Sequence, residues 1–196
     1  MKDDIIMGLY NRPETVFSLD EISQVFPAIS YESLRDRLYY FSKIGKLKRI
    51  GQGLYAKEEY NPLELVNKLY KPSYISLETV LSREGVTFQY YETIFAMSYL
   101  SREITLENIK INYRQIKKEV LLNPAGIEKK TGYFMASKER AFLDSVCLYK
   151  DYHFDNLGNL DWKKIEDLKK IYQNKTFEKR VKSYYHDYLE EENVKH

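Results

Sequence analysis

The chain has 196 residues and 23.5 kDa, with 43% apolar and 15% aromatic content, which suits a globular protein of one or two compact domains. Thirty-one Lys and Arg against 29 Asp and Glu leave a net charge of +2, so any nucleic-acid contact must come from a local patch and not from a polycation. The lone cysteine, Cys147, excludes an internal disulfide framework; MKDDIIMGLY has no signal-peptide pattern, and no apolar run approaches the roughly 18–20 residues that span a bilayer, so a cytoplasmic protein is expected.

Residues 2–11 predict a short amphipathic helix with Ile5, Ile6 and Leu9 on one side, ended by Asn11-Arg12-Pro13, and Val16-Phe17 predicts a minor strand. Ser18 followed three residues later by Glu21 has capping-box spacing and starts the next helix. Pro27 stops that helix, Ser30 is placed to cap another, and Leu34, Leu38 and Phe41 then form an apolar stripe. Gly45 supplies a left-handed end, Lys46 to Ile50 reads as a strand, and Gly51-Gln52-Gly53 permits a tight reversal into Leu54-Tyr55-Ala56. This order predicts a winged helix-turn-helix domain over residues 1–61, closed by Asn61-Pro62.

Charge favours a DNA-binding use of that domain. Residues 30–57 hold seven Lys and Arg against two acids, a net of +5, whereas residues 1–29 hold two against five, a net of −3. Ser33, Arg35, Arg37 and Tyr40 lie toward the exposed side of the second helix and are expected in a major groove. Lys48, Arg49 and Gln52 are expected on backbone or minor groove, and Lys43 and Lys46 complete the basic face. Arg35 and Arg37 fall on opposite flanks of the Leu34-Leu38-Phe41 stripe. The structural alternative is a winged helix that serves only as a protein–protein adaptor.

Residues 62–196 predict a mixed C-terminal domain with a small sheet and several helices, so the whole chain reads as α+β. Leu63, Leu65, Val66 and Leu69 form a helix that could link the halves. Ser73 to Glu78 opens a helix to about Glu84, closed by Gly85, and Thr93 to Leu100 has strand length and composition. Ile109, Ile111 and Tyr113 alternate with polar residues as a strand, residues 124–130 form a loop, and Gly132 to Ala136 adds another strand. Ser137 caps a nearly all-apolar helix to about Tyr149, the expected centre of the second core. A loop at 155–158 leads to amphipathic helices over 162–174 and 176–189, then to the acidic Glu190-Glu191-Glu192.

No set of residues assembles at a recognisable catalytic spacing, and neither a cofactor nor a metal is expected. His153, His186 and His196 have no second ligand at metal spacing, and Gly51-x-Gly53 lacks the context of a dinucleotide loop. Glu128-Lys129-Lys130 offers the Glu-x-Lys half of a nuclease signature, so a metal-dependent nucleic-acid enzyme using Glu128 and Lys130 is the rival from another class. Arg140 and Asp144 sit four apart and can pair along the helix or mark a partner surface. Phe177, Val181, Tyr184 and Tyr188 form a stripe expected in the core, yet residues 161–188 carry eight basic against five acidic side chains, including Lys169 and Lys170, which leaves room for a second contact surface.

Three segments together carry a family resemblance: Gly51-Gln52-Gly53-Leu54-Tyr55 at the end of the winged helix, Tyr74-Ile75-Ser76-Leu77-Glu78, and Tyr133 to Asp144, which contains Ala136-Ser137-Lys138-Glu139-Arg140-Ala141-Phe142-Leu143-Asp144. Over roughly residues 2–150 the chain resembles the AbiEi family of antitoxins and transcriptional regulators of abortive-infection, type IV, toxin–antitoxin systems. It departs at Ser137-Lys138, where the family often shows Asp-Pro. The resemblance implies a repressor domain that binds double-stranded DNA at its own promoter, joined to a domain that counteracts a nucleotidyltransferase-like toxin directly or indirectly.

Overall fold

The signals at the start of the chain are local, and the backbone follows them. In the computed structural model, which describes residues 3–194, α1 (Asp3–Tyr10), β1 (Val16–Ser18), α2 (Leu19–Val25), α3 (Tyr31–Lys43), β2 (Lys48–Gly51) and β3 (Leu54–Ala56) succeed one another. Ser18 Oγ accepts from the Glu21 N–H at 3.2 Å and the Glu21 carboxylate accepts from the Ser18 N–H at 3.0 Å, which completes the reciprocal cap of α2. Ser30 Oγ accepts from the Ser33 N–H at the start of α3, and Gly45 takes the left-handed φ of +73° just beyond its end. The three strands pair antiparallel in the order β1-β3-β2, so the strand that precedes both helices closes the sheet. Leu34, Leu38 and Phe41 pack with Ile5, Leu9, Ile22, Leu47 and Tyr55 in a core drawn from these elements and the turns between them.

The remainder is a mixed α+β arrangement: α4 (Leu63–Leu69), β4 (Ser73–Ile75), α5 (Glu78–Arg83), β5 (Ile94–Ser98), β6 (Arg102–Leu106), β7 (Ile109–Gln115), α6 (Lys118–Leu121), β8 (Ile127–Lys129), β9 (Phe134–Ala136), α7 (Lys138–Leu148), α8 (Trp162–Leu168) and α9 (Lys175–Val194). Six strands form one sheet in the order β6-β7-β5-β4-β9-β8, with β4/β9 and β5/β7 parallel and the other pairs antiparallel. Alternation along β4 sends Ser73 to the carbonyls of Val66 and Tyr70 on one face, and Tyr74 and Ser76 to Asp144 of α7 on the other. The sheet is therefore held between α4 and α7.

Several expectations change. Ser73 to Ile75 is a strand and not the opening of a helix, because all three residues pair with β5 on one side and Ile75 pairs with β9 on the other, and only Glu78–Arg83 is helical. The sheet is larger than expected, since the exposed edge strands β6 and β8 join it and β8 occupies the supposed 124–130 loop. The helix read over 162–174 is α-helical only to Leu168, continues as a 3-10 turn, and stops at Gln173 with φ +44°. α7 is the central helix expected, packing on α5, α8 and α9. Cys147 is half-buried and free. Among the described residues no helix is long and apolar enough to cross a membrane.

The helix expected to link the halves instead locks them together. Glu64 on α4 is buried, and its carboxylate accepts from the N–H of Thr15 at 2.9 Å, the hydroxyl of Thr15 at 2.7 Å and the N–H of Val16 at 3.0 Å. These groups lie where β1 begins, so a side chain of the second half supplies acceptors for the first. One turn later Asn67 binds Ser73 and accepts from the Phe134 N–H, and Lys68 reaches Glu21 of α2 at 2.6 Å. Burial alone would raise the Glu21 carboxyl, but the Lys68 and Ser18 hydrogen bonds and the charges of Lys68 and Lys71 outweigh it and hold it at about 2. Gly132 comes so close that a Cβ there would lie 2.6 Å from Glu64 Oε2. Val16, Ile50 and Ala56 of the first half are buried in the larger core of the second, so the two cores are not wholly separate.

Replacing Glu64 with Gln turns an amide NH2 toward donors that need an acceptor. Glu64→Gln should lose about 2–4 kcal/mol in urea denaturation, with the far-ultraviolet dichroism of the folded form unchanged. A loss below about 0.5 kcal/mol, the range of ordinary surface substitutions, would remove this junction from the energetics.

Candidate nucleic-acid interface

Helical spacing places Arg35, Tyr39 and Lys43 on one face of α3, and that face meets the β2-β3 hairpin. Tyr39 is where they meet. Lys43 Nζ lies 5.3 Å from the centroid of its ring and the Arg49 guanidinium carbon lies 5.7 Å away, so one exposed tyrosine holds a helix cation and a strand cation together. Arg49 stands opposite Tyr55 in the ladder; burial pushes the Tyr55 hydroxyl up, and the charges of Arg49 and Arg35 act against that. Lys48 Nζ lies 5.8 Å from the Tyr60 ring. Arg35 Nε is 3.4 Å from Asp36 Oδ1, but both side chains are well exposed and such a pair is easily exchanged for a phosphate.

Of the residues expected to bind DNA, Arg35, Tyr40, Lys43, Lys46, Lys48, Arg49 and Gln52 are exposed, whereas Ser33 and Arg37 are half-buried. Arg37 is separate from the Tyr39 cluster: with Ser33 and Tyr40 it lines a groove along the other flank of α3, beside Glu32 and Asp36. The cations are thus divided, with Arg35, Lys43, Lys48 and Arg49 toward the hairpin. A groove of about 580 Å³ on that side is lined by Tyr39, Lys43, Lys48 and Arg49, and also by Glu58 and Glu107. Tyr39 is not among the residues expected to bind DNA, although its spacing of four to both Arg35 and Lys43 is a signal that marks it; Tyr60 and Glu107 carry no local signal.

No family model matches the chain, and no curated protein matches it. The site is therefore read from its side chains.

The candidate partner surface at Arg140 and Asp144 needs correction, because both side chains are 0% exposed. Arg140 Nε lies 3.5 Å from Asp144 Oδ1; its other nitrogens donate to the carbonyls of Ala125 at 2.8 Å and Val120 at 2.7 Å and to the Tyr74 hydroxyl at 3.2 Å. Asp144 accepts from Tyr172 at 2.6 Å, Ser76 at 2.7 Å and Tyr74 at 3.2 Å. Burial opposes the Arg140 charge, but Asp144, Tyr172 and Tyr74 outweigh it and push the guanidinium above its ordinary value. Burial, then the Asp144 charge, pushes both tyrosines well above the usual phenol range, so their hydroxyls stay protonated donors. The pair closes along one helix turn, and Tyr-Ile-Ser-Leu-Glu and the Arg140 to Asp144 segment, far apart in sequence, meet here. Between Ser76 and Glu78, Leu77 takes a strained φ of +56° where the chain turns from β4 into α5.

The other candidates in this half are held by neighbours. Lys169 is only 15% exposed and bound to Glu166 at 2.5 Å, so it presents little surface; Lys170 is exposed and lies 3.1 Å from Asp167. Glu128 accepts from Lys130 at 2.5 Å, and the cleft of about 530 Å³ beside them is lined by four carboxylates and four cations. His153 is near Asp155 and His186 near Glu190, both on the surface, and His196 lies outside the described residues. Among the described residues no three His, Cys, Asp or Glu come together as a group that could hold a metal ion. Phe177 and Val181 are core residues, with Tyr184 and Tyr188 packed against them.

Asp144→Asn leaves a buried guanidinium without its counter-charge and should lose about 3–5 kcal/mol in guanidinium titrations. Lys170→Ala should stay within about 0.5 kcal/mol of the parent. Equal stability of the two variants would refute this assignment of the pair to the core.

Proposed function

We propose that the protein is a cytoplasmic DNA-binding transcriptional autorepressor and antitoxin of a toxin–antitoxin, phage abortive-infection system. In this reading residues 1–61 are a winged helix-turn-helix, with α3 as the recognition helix and β2-β3 as the wing, and residues 62–196 counteract a nucleotidyltransferase-like toxin, directly or indirectly. The observation that carries the DNA-binding half is the Tyr39 cluster, which holds cations of helix and hairpin on one exposed face. A protruding helix beside a basic hairpin fits the major groove and the flanking phosphates of duplex DNA. The element order, with β1 before α2 and α3 and pairing beside β3, supports the winged-helix reading. For the second half, support comes from the resemblance, whose segments share the Arg140-Asp144 network. No catalytic step is assigned to either half.

The test is binding of the full chain to duplex DNA from its own promoter. Alanine at Arg35, Arg37, Lys48 and Arg49 together should weaken binding at least about 100-fold near 0.1 M salt, since a bidentate base contact alone is worth about 1–3 kcal/mol. The variant should keep the parent's circular dichroism. Unchanged gel-shift affinity would overturn the proposal.

A further inference from the structure

The groove between α3 and the hairpin is not purely basic, and one of its carboxylates comes from far along the chain. Leu106 pairs with Ile109 at the end of β6 and β7, so Glu107 and Asn108 are the whole turn of that hairpin. Glu107 has φ +53°, a conformation that suits glycine and is strained for glutamate. Its carboxylate is held in place nonetheless: Oε2 accepts from the Tyr60 hydroxyl at 3.0 Å, and the same ring lies under Lys48 Nζ at 5.8 Å. Leu106 Cδ2 is 3.9 Å from the point a Cβ on Gly51 would occupy, so the tip of the β6-β7 hairpin abuts β2. Burial and the Glu107 bond push the Tyr60 hydroxyl up to about 12, so this anchor persists at neutral pH.

We propose that Glu107 is a fixed counter-charge in the DNA-binding groove, through which the six-stranded sheet of the second half limits how tightly the first half holds DNA; the inference rests on the DNA-binding reading above. A phosphate approaching Lys43, Lys48 or Arg49 meets this carboxylate in the same groove, a repulsion between exposed charges that added salt screens. The backbone of bound DNA is thereby steered from the Glu107 end of the groove toward Arg35, which does not line it. The strained turn has a use in this arrangement: glycine would relax the backbone but supply no charge.

Glu107→Gln separates charge from anchoring, because its amide oxygen still accepts from Tyr60. In the full chain it should tighten binding to a 20-base-pair duplex by about three- to tenfold at 50 mM salt, with the gain falling below about twofold at 300 mM. Glu107→Lys should shift affinity further in the same direction, whereas a purely structural role would make it bind more weakly through a displaced Tyr60. Glu107→Gln affinity equal to or below that of the parent at 50 mM overturns the inference. In the same assay Lys48→Ala with Arg49→Ala should weaken binding; if it does, failure of Glu107→Gln condemns the counter-charge alone, and if it does not, the DNA-binding reading falls and this inference with it.

Discussion

A carboxylate buried where two halves of a chain meet must find donors, and Glu64 finds them at the start of β1. The rest of the arrangement depends on that placement. α4 has only seven residues, too short to be stable by itself, and is fixed by what its side chains bind on both sides. Gly132 is required because Glu64 fills the space a side chain there would take. Since β1 lies beside β3, which carries β2, anchoring β1 also fixes the basic hairpin relative to the large sheet. That is how Glu107, 43 positions beyond Glu64 in the sequence, comes to rest against Tyr60.

A second buried charge system holds the other face of the sheet. Burying Arg140 and Asp144 is costly, and their attraction offsets the cost only because two carbonyls, two tyrosines and a serine add hydrogen bonds, although Arg140 Nε itself makes none. The network pins β4, α7 and the 3-10 turn that contains Tyr172 in one register. The two systems thus act on opposite faces of β4: Asn67 binds Ser73 on one, Asp144 binds Tyr74 and Ser76 on the other.

What was legible in the sequence was local. Ser18 with Glu21, Ser30 and Ser137 cap helices through bonds that span three residues, and the stripe of Leu34, Leu38 and Phe41 needs only helical periodicity to be seen. Strand β4 is not legible locally because its three residues are determined by partners more than 20 positions away. Edge strands β6 and β8 hide because one side is solvated and their composition is polar. The charge balance of residues 30–57 reveals the exposed cations of α3 and the hairpin, but helical spacing shows only the outline of their division, with Arg35 and Arg37 on opposite flanks. Arg140 and Asp144 were correctly paired by spacing, yet spacing says nothing of burial; that required Tyr172 from beyond the helix and Tyr74 from before it. Glu64 gave no signal, since an acid in the first turn of a short helix is ordinary.

In the proposed function, one face built from α3 and the β2-β3 hairpin binds duplex DNA through clustered cations. The most direct measurement is the affinity of the full chain for promoter duplex across a salt series from 50 to 300 mM, using fluorescence anisotropy. Arg35, Lys43, Lys48 and Arg49, joined at the margins by Arg37 and Lys46, allow about four to six phosphate contacts, so the logarithm of affinity should fall against the logarithm of salt with a slope of about −3.5 to −5.5. A slope near zero, or no binding at 50 mM salt, would contradict DNA binding through this face.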